Sequence, residues 1–142
     1  MAKFNIISQF LKDISFESPN VPELFFKNDN GQAKLEINID IQIKGADNNL
    51  FMVDVITKVH SKLEAGEKSI FLIESTYSGL VQLDGENVEE EDKKRTLLID
   101  VPTLLFPSVR ALVTRLTSES GFPTFTMQPV DFAQLYEQKQ AQ

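Results

Sequence analysis

One histidine, no cysteine and 21 carboxylates bound what this 142-residue chain could catalyse or ligate. His60 falls between Lys58 and Lys62 on one face of an alternating stretch, so a Ser-His-Asp arrangement would have to draw its base from mid-strand, and an exposed strand histidine is the expectation. Without cysteine there is no disulfide framework, thiolate nucleophile or zinc knuckle, and one histidine makes no transition-metal cluster. Glu89-Glu-Glu-Asp92 lacks the Asp-x-Asp-x-Asp-Gly spacing of a calcium loop, and no Gly-x-Gly-x-x-Gly or Walker lysine offers a phosphate cradle. Carboxylates scattered through an acidic chain single out no general acid. The expectation is therefore a protein that is not an enzyme, with no catalytic residue, metal or cofactor.

What remains is non-covalent chemistry. The net charge is −7, from 21 acidic and 14 basic residues. Such a surface repels nucleic acid and attracts basic proteins or basic stretches of unfolded chains. Eleven Phe against two Tyr and no Trp is a lopsided aromatic set. Phenylalanine suits a surface that grips many apolar partners by shape and dispersion, although a core alone could use the same rings. Hydrophobic content of 42% and charged content of 25% are globular values. One domain over 1–142 is expected, with loose termini at 1–10 and 138–142. The first ten residues lack the apolar run of a signal peptide, and no window approaches the roughly 18 apolar residues of a membrane span. A soluble cytoplasmic protein without membrane insertion is the reading.

The elements that must position any binding surface begin with Lys34–Lys44, where Leu35, Ile37, Ile39, Ile41 and Ile43 alternate with polar residues. Period two with β-branched residues specifies a strand, about 36 Å long, expected to be the central one. Lys12–Glu17 alternates similarly, before Pro19 and Pro22 stop regular structure. Glu23-Leu-Phe-Phe26 then falls on a loop or single turn, and Asn28-Asp-Asn-Gly31 is a turn. Phe51–Leu63 and Ser69–Leu83 alternate again, joined through the polar turns 45–49 and 64–68, and short connections require antiparallel pairing. Leu72, Glu74 and Thr76 fall on the water side of the last strand. Glu89–Asp92 followed by Lys93–Arg95 complements a helix dipole, and Pro102 is expected to end that helix. Pro107 opens a second, with Leu105, Val109, Leu112, Val113 and Leu116 as its apolar stripe and Gly121 as its end. Asp131 caps a last helix carrying Phe132, Leu135 and Tyr136. The fold class is α+β: a four-stranded antiparallel meander with C-terminal helices packed on one face.

Three stretches together resemble the SecB export-chaperone family: Lys12-Asp-Ile-Ser-Phe-Glu-Ser-Pro-Asn20 with the following Val-Pro, Leu104-Leu-Phe-Pro-Ser-Val-Arg110, and Gly121-Phe-Pro with Pro129-Val-Asp-Phe132. The resemblance covers about 11–137. Two departures stand out: Ser108 where the family usually has an aromatic, and an acidic first helix. The resemblance implies an ATP-independent cytosolic holdase that keeps precursor proteins unfolded and hands them to SecA, the translocase motor. It also implies a homotetramer built as a dimer of dimers. Carried over position by position, it puts SecA contact on Asp13, Glu17, Leu72 and Glu74. A client groove is expected from Leu24, Phe25, Phe26, Leu35, Ile37, Phe122, Phe125, Met127 and Tyr136. Two other expectations remain open: a SecB-like adaptor for one dedicated partner, and a carrier of small apolar ligands.

Overall fold

The computed structural model describes residues 2–26, 32–66, 68–85 and 88–140. Its sheet has four antiparallel strands, β1 (Lys3–Glu17), β2 (Ala33–Gly45), β3 (Leu50–Leu63) and β4 (Ser69–Asp84), in the order β1-β4-β3-β2. The meander is β2-β3-β4, and β1 closes it on the far side of β4. β3 and β4 are the central strands. Their alternation turns Val53, Val55, Val59, Ile73 and Val81 into one fully buried face. Each such side chain contributes roughly 1.5–3 kcal/mol relative to an exposed one.

Two expectations are corrected here. The Lys34–Lys44 stretch is an edge strand and not the centre. Its alternation is clean because its polar side faces water, whereas the central strands are partly covered on both sides. Residues 3–10 are not a loose arm but the first half of β1, paired with β4 from Lys3↔Asp84 to Glu17↔Leu72. Register shifts at Ile6/Ser8 and Leu11/Asp13 each insert one residue, Ile7 and Lys12. Each bulge reverses the facing of everything beyond it, which hides the period-two signal in the sequence. At the β2–β3 turn, Asn48 and Asn49 adopt φ of 64° and 60°, a region asparagine tolerates better than most residues. Asn28–Gly31 lies outside the described residues.

After β4 the chain runs helically without a break from Glu90 to Ser118. It passes through α2 (Glu90–Arg95), a π-helical stretch (Thr96–Asp100) and α3 (Val101–Ser118). Pro102 does not end the helix, and Pro107 lies inside α3 rather than opening a new one. The Val101 N–H bonds to the Thr96 carbonyl, one residue further back than in an α-turn, so Pro102 falls in the first turn of a fresh α segment. Core packing offsets the interior proline, because Leu105, Val109 and Val113 are sealed against the sheet while Pro107 faces out. By length and composition this helix could cross a membrane, contrary to the expectation that no window approaches a span. The sheet accounts for its apolar side.

Beyond α3, Gly121 takes φ 86°. In α4 (Phe132–Gln140) the Gln134 N–H donates to Asp131 Oδ1 at 3.1 Å, the expected N-cap. Residues 138–140 are therefore helical and not a loose tail.

Candidate functional site

At one end of the molecule an apolar ledge is left uncovered. The four-residue α1 (Glu23–Phe26) is fastened beside the start of β4, where Ser18 Oγ donates to the Ile70 carbonyl at 2.8 Å and Asn20 Nδ2 to the Ser69 carbonyl at 2.9 Å. From there Phe25 stacks on Phe122 with ring centroids 4.8 Å apart. A Cβ at Gly121 would come within 2.9 Å of the tip of the Phe25 ring, so any other residue there would push that half-exposed ring aside as well as strain the φ of 86°. Phe25 remains 50% exposed and Phe26 80%, while Leu24, Phe122 and Phe125 rest partly buried against the core. The register Leu35↔Ser61↔Phe71 and Ile37↔Val59↔Ile73 brings Leu35 and Ile37 to the same end, on the helix side of the sheet. Both are 41% exposed.

The cause of their exposure is the reach of α4. It covers the later part of β2, where Ile41 borders a space of about 320 Å³ beneath α4, together with Leu98 and Leu135. Lys139 Nζ closes on Asp40 Oδ1 at 2.5 Å. Among the described residues nothing comparable reaches Leu35, which stays 41% exposed.

Two residues expected in an open groove are not there. Met127 is 1% exposed and belongs to the core. Tyr136 is buried on α4, its hydroxyl donating to Glu91 Oε1 at 2.8 Å with the Arg95 guanidinium 5.5 Å from its ring. The hydrogen bond to Glu91, reinforced by burial, raises the pKa of that hydroxyl above the usual tyrosine value. A raised folded-state pKa stabilises below the unfolded pKa and is lost as pH climbs through the folded one. The apolarity of both side chains was readable in the sequence, but their depth was not.

The opposite face of the sheet gathers the acidic candidates. Glu17 lies opposite Leu72, Ser15 opposite Glu74 and Asp13 opposite Thr76, so Asp13, Glu17, Leu72 and Glu74 share the face turned away from the helices. The bulge at Lys12 makes this possible, since without it Asp13 and Glu17 would turn to the side of Leu11. Lys58 approaches Glu74 at 3.9 Å, a half-exposed pair of small worth. His60 is half-buried in the adjoining row, not fully exposed as expected, with Nε2 3.0 Å from Ser69 Oγ. Towards β2, Lys62 holds Glu36 at 3.1 Å and keeps its carboxyl below the usual range, a contribution lost as pH falls through that lowered value.

Sequence reasoning missed Asp54. On this same outer face its carboxylate is buried, accepting from Ser78 Oγ at 2.5 Å with Lys12 Nζ at 3.5 Å. Strand order supplies the burial, and no motif signals it. Ser78→Ala should lower stability by about 1–3 kcal/mol in urea titration, because the buried carboxylate loses its closest donor. A loss below about 0.5 kcal/mol would mean that water replaces the hydroxyl.

A cleft of about 730 Å³ lies elsewhere, between α3 and residues 126–132, bordered by Phe106, Pro107, Arg110, Arg115 and Val130 among others. The described residues contain no group of three or more side chains able to hold a metal ion.

The family model described as preprotein translocase subunit SecB matches residues 1–142. The protein-export protein SecB of Caulobacter vibrioides is 35% identical over 141 residues, covering 99% of this chain and 83% of that protein. That of Rhodospirillum centenum is 32% identical over 132 residues, covering 93% and 76%. Among solved structures, a Mycobacterium tuberculosis SecB-like chaperone in complex with an antitoxin peptide superposes with a TM-score of 0.75 at 14% identity, covering 89% of this chain and 90% of that one.

Proposed function

This chain belongs to the SecB family, and from that premise we propose that it is an ATP-independent holdase that captures unfolded precursor proteins in the cytoplasm and delivers them to SecA. The observation that carries the reading is the ledge: Leu35 and Ile37 stand uncovered at the end of the sheet where Phe25 and Phe26 are also exposed. An unfolded chain differs from a folded one in offering apolar side chains and unpaired backbone. The ledge complements the first, and the outer edge of β2, an end strand of the sheet, complements the second. Each contact is weak and tolerant of sequence, since the client loses chain entropy on binding. A homotetramer, assembled as a dimer of dimers, then multiplies such contacts along one client. No nucleic acid, cofactor or membrane insertion enters this reading.

For docking, the proposal assigns Asp13, Glu17, Leu72 and Glu74 to SecA. Their common face, acidic and slightly apolar, supports a basic partner segment there. Light scattering of a refolding precursor should show aggregation suppressed by the protein, and no suppression would remove the holdase reading. Glu74→Lys should weaken SecA binding at least about tenfold while suppression persists. Equal SecA binding by both forms would remove the docking assignment.

A second reading takes its cue from the structural neighbour, which was solved with a peptide from an antitoxin. A dedicated adaptor would bind one cognate peptide far more tightly than generic unfolded chains, and competition between the two decides. A small-ligand carrier would protect an apolar dye yet fail to suppress aggregation.

A further inference from the structure

One cation on the outer face of the sheet is held back from the acids beside it. Lys12 is the residue that the second bulge inserts between Leu11 and Asp13. Its Nζ lies 3.5 Å from Oδ2 of Asp54, although Asp13 follows it directly in the chain. Asp54 is 2% exposed, and its other oxygen accepts from Ser78 Oγ at 2.5 Å. A carboxylate shut away from water needs a cation near it, so it attracts Lys12 more strongly than an exposed, well-hydrated acid does. The Lys12 side chain is itself 44% exposed, and packing does not dictate which acid it meets.

The acids it passes over are those of the docking quartet. Among the described residues Asp13 and Glu17 have no ion-pair partner. Glu74 already shares its charge with Lys58 at 3.9 Å. In the register, Phe10, Ser78 and Asp54 form one row of this face, and Asp13, Thr76 and Ile56 form the next. The rows lie about 7 Å apart, two residues along a strand. Lys12 enters β1 between them, and its flexible four-carbon stem can turn to either.

We propose that Asp54 is a positioning residue for docking: it holds Lys12 at the bulge and so leaves Asp13, Glu17 and Glu74 their charge for the basic segment of the partner. The inference rests on the docking reading above and adds the residue that keeps that face acidic. A released Lys12 would neutralise the quartet from within, and an incoming basic segment would have to displace it.

Asp54→Asn tests this, because the amide oxygen still accepts from Ser78 while the charge that holds Lys12 is gone. Carbodiimide coupling followed by mass spectrometry should join Lys12 to Asp13 or Glu74 in this variant and not in the unaltered protein. SecA binding should weaken about fourfold at 50 mM salt, the effect of one unit charge brought within about 5 Å at the dielectric of water. The loss should fade at 0.5 M salt. Lys12→Met added to Asp54→Asn removes the released cation and should restore binding. Lys12→Met alone should bind SecA at least as well as the unaltered protein. Circular dichroism of each variant establishes that the fold survives. An Asp54→Asn variant with no new cross-link overturns the proposal, as does a loss of binding that persists at high salt or in the double variant. Weaker binding by Lys12→Met alone also overturns it, by making the lysine a contact for the partner. Glu74→Lys is measured alongside: if it too leaves SecA binding unchanged, the docking assignment has failed, and the cross-link still reports whether Asp54 holds Lys12.

Discussion

Gly79→Val is expected to cost the protein a large share of its stability. Gly79 lies in the middle of β4, paired with Gln9 of β1 and Val53 of β3, and Leu105 of α3 rests directly over it. A Cβ there would stand 3.1 and 3.2 Å from the two Leu105 methyl carbons, so even alanine obliges the helix to yield by a few tenths of an ångström. Leu105 is fully buried and has no free direction to move. For Gly79→Ala, overpacking of about 1–3 kcal/mol is partly offset by the roughly 0.4–1 kcal/mol gained from stiffening the unfolded chain. Valine adds two further methyl groups into the same gap. Its loss should exceed about 3 kcal/mol, a large share of the 5–15 kcal/mol that holds a typical domain together. Urea unfolding should rank the unaltered protein, alanine and valine in that order. A valine variant with an unchanged midpoint would show that α3 does not press on β4 as closely as these distances indicate.

The second large effect falls on binding. The double variant Leu35→Ser/Ile37→Ser should weaken capture of an unfolded client about thirtyfold while the urea midpoint stays nearly fixed. Both side chains sit on an edge strand and are already about two-fifths exposed, so the folded state has little to lose. A client covering them would gain about 1 kcal/mol from each, half or less of a full burial. Two such terms make about 2 kcal/mol, or about thirtyfold in affinity. Unaltered capture would move the client site away from the ledge, and loss of folding would make Leu35 and Ile37 structural.

The helix side of the sheet was legible because its central strands obey a simple rule. From Phe51 to Leu83, alternation puts Val53, Val55, Val59, Ile73 and Val81 on one face, and that face is the buried one. The rule fails where an extra residue enters the strand. Ile7 and Lys12 break the period, so residues 3–10 read as an arm although they pair with β4, while Lys12–Glu17 reads correctly as a strand. Local preference also misled at Pro102, where a π-turn absorbs a residue that normally stops a helix. Depth was the hardest property to read. Phe25 and Met127 are both large apolar residues in proline-broken stretches, yet one is half in water and the other sealed, because only the packed chain decides which lies beneath. Asp54 gave no sign at all, since its burial comes from neighbours contributed by β1 and β4.

The sheet separates the ledge from the acidic quartet. Ile37 and Glu74 belong to neighbouring rungs of one ladder yet point in opposite directions, and no side chain serves both. Cargo and motor would then never compete for space, and a ternary complex could form in either order of arrival. Linkage makes any thermodynamic coupling between them reciprocal, and with the strands rigid it should stay near zero. Transfer would in that case have to be driven by the motor pulling on the polypeptide, with no prior drop in the chaperone's own grip.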